Sequence, residues 1–135
     1  MPCCGMNLDF HSPQRRVMVV DNDHDLVDSL CEWIGLSSDW TVVPAYGAAE
    51  AIAQAGSAPP DVILLDMEMA GADGFETAER LGRASGAKHS AILALTGNAD
   101  LRDAALSDPR FRASMLKPAD PGQLLVLLSK LVPEH

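Results

Sequence analysis

The sequence predicts an α/β fold, one open five-stranded parallel sheet with helices on both faces, assembled from five βα units. Three observations predict it. Short unbroken apolar runs recur along the chain, amphipathic stretches separate them, and four of the five runs end on a polar residue. A strand covered on both faces reads as a continuous apolar run rather than as an alternation. Parallel neighbours also need a long crossover, most often a helix.

Residues 1–15 show no periodicity and contain Pro2, Gly5, Ser12 and Pro13, so a disordered tail is expected there. Val17-Met18-Val19-Val20 is β-branched and unbroken, a doubly buried first strand. From Asp25 to Leu36 the residues Leu26, Val27, Leu30, Trp33 and Ile34 recur at helical spacing, with Gly35 near the stop. Trp40 to Ala45 is a second strand and Ala48 to Ala55 a short Ala-rich helix. Val62-Ile63-Leu64-Leu65 is the clearest buried strand. Ala70-Gly71-Ala72-Asp73-Gly74 is loop chemistry, with Asp73-Gly74 a turn into a helix from Phe75 to about Arg83. Ala91 to Leu95 is a fourth strand, Ala99 to Leu106 a weaker helix, and Ser114 to Leu116 a short fifth strand. Pro121 suits the first turn of a last helix reaching Leu131. The domain is therefore expected to span residues 16–131, with 132–135 a short tail.

At 135 residues the chain has room for one cored domain and not two. Only 4% of its residues are aromatic, so the core must rest on aliphatic side chains and Met. The net charge of -9 repels nucleic acid and anionic lipid, which argues against direct DNA binding. No apolar run reaches the ~18 residues of a membrane span, and no signal peptide pattern opens the chain. Cys3, Cys4 and Cys31 provide neither a disulfide framework nor zinc-site spacing, which points to a reducing, cytoplasmic setting. His11, His24, His89 and His135 show no ligand spacing and are expected to face solvent, while Trp33, Trp40, Met67 and Met69 are expected to pack.

Chemistry concentrates where the strands stop. The first strand runs into Asp21, the third into Asp66, the fourth into Thr96 and the fifth into Lys117. In an open parallel sheet these carboxyl ends lie along one edge, where such folds bind ligands. Two carboxylates, a hydroxyl and an ammonium would converge there. Clustered carboxylates favour a hard cation, and Mg²⁺ takes oxygen ligands. A carboxylate beside that cation can attack phosphorus to give an acyl phosphate, with the lysine offsetting charge on the transferring oxygens. Either Asp alone would serve equally well as a helix or loop cap. The four together point to phosphoryl transfer.

These residues resemble the response-regulator receiver family from about Arg16 to Leu131. The likeness rests on Val-Val-Asp21-Asn22-Asp23, on Leu-Leu-Asp66-Met-Glu-Met-Ala-Gly-Ala-Asp73-Gly74, on Ala-Leu-Thr96-Gly97 and on Leu-Lys117-Pro118. The resemblance implies a flavodoxin-like (βα)5 fold, with Asp66 as phosphoacceptor, Thr96 as the hydroxyl that turns toward the phosphoryl group, and Lys117 as its counter-ion. It implies Mg²⁺ held by Asp21, Asn22, Asp66 and the backbone carbonyl of Glu68, and a cis bond between Lys117 and Pro118. The implied partners are a histidine kinase or histidine phosphotransfer protein and a downstream protein or fused domain. The implied activity is self-phosphorylation and slow autodephosphorylation, with no metabolic reaction of its own. Dimerisation is compatible with the sequence, which marks no interface for it.

The sequence departs from the family pattern in places. Asn22 stands where a second acid is usual; one charge removed near ~4 Å from the ion is worth up to about 4 kcal/mol gross at an effective dielectric near 20. Weaker Mg²⁺ binding follows as an expectation, with Asp23 the acid that would compensate. Ala70 replaces a common proline and should loosen its loop. Ser114 replaces an aromatic residue and cannot act as an aromatic switch. Gly97 has no side chain to shield the phosphoryl site, and Glu68 and Asn98 stand where family members tune acyl-phosphate lifetime. Two other readings remain open at this point. One is a degenerate receiver that binds partners without phosphorylation. The other is an aspartyl phosphohydrolase, for which Glu68 has the right offset but a substrate cap is lacking.

Overall fold

The strands fall where the apolar runs lie; four gain one residue at an end, and the second begins one residue later than expected, at Thr41. The computed structural model describes residues 15–69, 71–84 and 90–131. The tail and loop expectations at Cys3, Cys4, His11, Ala70, His89 and His135 lie outside those residues. The chain runs β1 (Arg16–Val20), α1 (His24–Ser37), β2 (Thr41–Ala45), α2 (Ala48–Ser57), β3 (Val62–Asp66), α3 (Gly74–Ala84), β4 (Ala91–Thr96), α4 (Ala99–Leu106), β5 (Ala113–Leu116) and α5 (Pro121–Leu131). All strand pairs are parallel and the sheet order is β2-β1-β3-β4-β5. This is the flavodoxin-like (βα)5 arrangement.

Period-two alternation sorts each central strand onto two cores. Val17, Val19, Val62, Leu64, Leu93 and Leu95 point to one face, where Val27 and Ile34 of α1 and Leu124 and Leu128 of α5 cover them. Met18, Val20, Ile63, Leu65, Ile92 and Ala94 point to the other, under Ala51 and Ala55 of α2, Ala78 and Leu81 of α3, and Ala105 of α4. Trp40 is buried and Trp33 half-buried against the first core, while Met67 and Met69 are buried in the second. The edge strands are less covered, and Pro44 lies in edge strand β2, where a missing N–H costs least.

Helix starts follow their polar caps. The Asp23 side chain accepts from Leu26 N at 3.2 Å to begin α1, and Asn98 accepts from Asp100 N and Leu101 N to begin α4. Asp73 accepts from Phe75 N at 2.9 Å, and Gly74 belongs to α3 as its first, buried residue rather than to the preceding turn. A Cβ on Gly74 would stand 2.7 Å from the end of the Met67 side chain and 3.1 Å from the Met67 Cα. Gly74→Ala is therefore expected to cost about 1–3 kcal/mol, read as a lower midpoint in urea unfolding.

One clamp escaped the sequence reading. Arg110 grips Asp108 at 2.7 Å, donates to the Phe75 carbonyl at 2.9 Å, and ties the segment before β5 to the start of α3. Among the described residues no helix is long and apolar enough to cross a membrane.

Candidate functional site

Four strands deliver one polar residue each to the same edge of the sheet. The strand order reverses beside β1, because β2 lies on one side of it and β3 on the other. The crevice at such a reversal, outside the carboxyl ends, is where doubly wound sheets place their ligands. Asp21, Asp66 and Thr96 are all buried, at 4%, 4% and 0% exposure, so their polar atoms must be answered from within.

Lys117 answers both acids. Its Nζ lies 3.0 Å from Asp21 Oδ2 and 3.0 Å from Asp66 Oδ1. Backbone amides supply the rest: Asp23 N donates to Asp21 Oδ1 at 3.0 Å and Glu68 N to Asp66 Oδ1 at 3.1 Å. The Lys117-Pro118 peptide is cis, as the resemblance implied. Lys117 N also donates to the Thr96 carbonyl at 2.8 Å, which locks the end of β5 to that of β4.

One ammonium between two carboxylates leaves the cluster one negative charge in excess. Burial pushes the Asp66 carboxyl above the ordinary carboxylate range and the Asp21 charge adds to this, against the opposing pull of Lys117 and Glu68 N. Burial opposes the Lys117 ammonium as well, but its hydrogen bonds to Asp66 and Asp21 outweigh that and hold its pKa above the usual lysine value. Among the described residues, the hydrogen bonds reaching Asp66 end on Oδ1.

The donor set suits a hard divalent cation. The Asp21 and Asp66 carboxylates are hard oxygen donors, and a divalent charge would reverse the local excess of negative charge. Among the described residues, no three His, Cys, Asp or Glu side chains gather as a metal-holding group. The Asp23 carboxylate is used as the cap of α1, and Asn22 is exposed.

The other named positions are placed as follows. Thr96 Oγ1 accepts from Asn98 N at 3.1 Å, within the loop that leads to α4. Ser114 sits beside Ala94 in the β4–β5 register, and its buried Oγ has no hydrogen-bond partner among the described residues. Aromatic packing on this face comes instead from Phe111, edge-on to Phe75 with ring centres 5.6 Å apart. Gly97 was expected to leave the site unshielded, but the Glu68 side chain reaches across and accepts from Gly97 N at 2.7 Å. Sequence reading also missed Tyr46, whose hydroxyl donates to Asp28 at 2.6 Å and whose ring lies 4.3 Å from that of exposed His24. That hydrogen bond, to a carboxylate, pushes the Tyr46 phenol up to about 12.

Comparison with known proteins agrees with this architecture. The sequence matches the response regulator receiver domain family over residues 17–129. The fold is similar to that of an adenylate cyclase from Rhodopirellula baltica, with TM-score 0.79, 25% identity, and coverage of 89% of this chain and 88% of that one. It is also similar to the Thermotoga maritima response regulator TrrA, with TM-score 0.76, 25% identity, and coverage of 88% and 100%. The Vibrio cholerae chemotaxis protein CheY4 shares the fold at TM-score 0.78 and 24% identity, covering 89% of this chain and 100% of its own. With the sheet order, the strand-end residues and this match over most of its length, the chain belongs to the response-regulator receiver domain family, whose members serve phosphorylation-based two-component signalling.

Proposed function

We propose that Asp66 accepts a phosphoryl group from a phosphohistidine of a histidine kinase or histidine phosphotransfer protein, and that the altered surface is read by another protein or a fused domain. The observation that carries this is the Lys117 ammonium, 3.0 Å from both Asp21 and Asp66. In the transfer, Asp66 Oδ2 attacks phosphorus, the P–N bond breaks, and its electron pair stays on the imidazole nitrogen. An acyl phosphate remains on Asp66. Lys117 offsets charge on the transferring oxygens, and the Thr96 hydroxyl turns to donate to one of them. Asp21, Asp66, Asn22 and the Glu68 carbonyl would hold Mg²⁺. When bound, the ion supplies charge neutralisation at the phosphoryl oxygens. The similar Thermotoga maritima regulator was solved in complex with Mg(2+)-BeF, which supports this assignment of the cation.

The test is incubation with Mg²⁺ and acetyl phosphate, followed by mass spectrometry. An acid-stable, base-labile gain of one phosphoryl group is expected in the wild type and not in Asp66→Ala. No gain in the wild type favours a phosphorylation-independent interaction module. Release of inorganic phosphate from many monoesters favours a hydrolase.

A further inference from the structure

Three donors face the mouth of the site: the Gly97 N–H, the Thr96 hydroxyl and the Lys117 ammonium. An anion belonging to the chain itself already meets the first of them. Gly97 N donates to Glu68 Oε1 at 2.7 Å, a length typical of a charge-assisted bond. The Glu68 carboxyl is held below its ordinary range, chiefly by Gly97 N, with Thr96 and Lys117 pulling the same way. The contact joins the β3–α3 loop to the β4–α4 loop across the gap in front of Asp66. Meanwhile the Glu68 backbone stays anchored, with its N–H on Asp66 Oδ1 at 3.1 Å. Glu68 is exposed, so its side chain has solvent to swing into.

We propose that Glu68 is a gate on this site: its carboxylate occupies the Gly97 N–H that an incoming tetrahedral oxyanion needs, and must swing out before a phosphoryl group can settle at Asp66. The transfer part of this inference rests on the phosphoacceptor reading above, while the anion-binding part does not. A carboxylate accepting from Gly97 N satisfies the same donor as a phosphoryl oxygen, and its charge repels a second anion. The gate keeps small oxyanions and stray phosphodonors out, and a docked donor protein has to displace it.

The experiment titrates sulfate into the 135-residue chain without Mg²⁺ and follows the Gly97 amide by proton–nitrogen NMR. Wild type, Glu68→Ala and Glu68→Gln are compared. Loss of the carboxylate is expected to move the Gly97 amide proton upfield and to tighten sulfate binding about fivefold, the scale of an exposed charge contact. Glu68→Gln should fall between, because its amide oxygen still accepts from Gly97 N without the charge. The initial rate of labelling by acetyl phosphate with Mg²⁺ should rise by a similar factor in Glu68→Ala. Unchanged or weaker sulfate binding in Glu68→Ala overturns the gate, whatever labelling does. Tighter sulfate binding with slower labelling also overturns it, since Glu68 would then be assisting transfer. Tighter sulfate binding with no labelling of either protein upholds the gate and removes the phosphoacceptor reading instead.

Discussion

Lys117→Ala is expected to lower the unfolding midpoint by roughly 5 °C in metal-free buffer at neutral pH, a cost of about 2 kcal/mol. Its Nζ is the ammonium that faces both Asp21 and Asp66, at 3.0 Å from each, and those two side chains are only 5% exposed. Removing it leaves two buried negative charges facing each other with only backbone amides to answer them. A fully buried pair would cost more, but the Lys117 side chain is 26% exposed and water can follow it in. The defect should shrink on acidification, because protonating either carboxylate removes the repulsion. Saturating Mg²⁺ should shrink it too. Phosphoryl acceptance should fall about a hundredfold even so, since the cation does not replace the donor aimed at the transferring oxygens. Thermal scans at neutral and acidic pH, with and without Mg²⁺, check the first part, and rates of acetyl phosphate labelling check the second. A Lys117→Ala protein as stable as wild type at neutral pH would refute the counter-ion role.

The opposite sign is expected for Asp66→Asn. The folded protein holds the Asp66 carboxyl above its ordinary pKa, through burial first and Asp21 second. A carboxylate raised in this way binds its proton more tightly folded than unfolded. Its contribution to stability therefore falls as pH rises from the ordinary carboxylate range through the raised value. The penalty is absent in acid below the ordinary carboxylate range and complete only once the pH passes the raised value. The amide of the Asp66→Asn variant would keep an acceptor oxygen for Lys117 and Glu68 N but carry no charge. The substitution should thus raise the midpoint by about 3 °C at neutral pH without metal, and the gain should disappear in acid. It should also abolish labelling at this position. Thermal scans at the two pH values, paired with mass spectrometry after acetyl phosphate, check both parts. A folded protein that has lost its reaction but gained stability is the signature of a residue kept for chemistry.

Much of this was legible in the chain as a string of residues. Val62 to Leu65 is too apolar to be anything but doubly covered, and its flanking residues leave little freedom about where the strand stops. Asp21, Asp66, Thr96 and Lys117 announce themselves as polar residues closing apolar runs. Their convergence follows because a parallel sheet puts every carboxyl end on one edge. Helix bounds shifted where a cap overrode the hydrophobic period, as at Asp23 and Asp73. Gly74 read as a turn because glycine usually marks one; in fact it is the close approach of Met67 that demands the missing side chain.

The class of fold, the strand that ends on Asp66 and the four residues at the edge could all be read from the chain, because burial on both faces and strand-end polarity are local properties. Three further facts came only with the folded molecule: which strands are edges, that Lys117 spans both acids, and that Glu68 lies across the site with its carboxylate on Gly97 N. They depend on sheet order and on side chains meeting across loops, and Glu68 and Gly97 stand 29 positions apart. No spacing in a sequence records such a contact, since an exposed carboxylate two residues past Asp66 reads the same whether it faces solvent or turns inward.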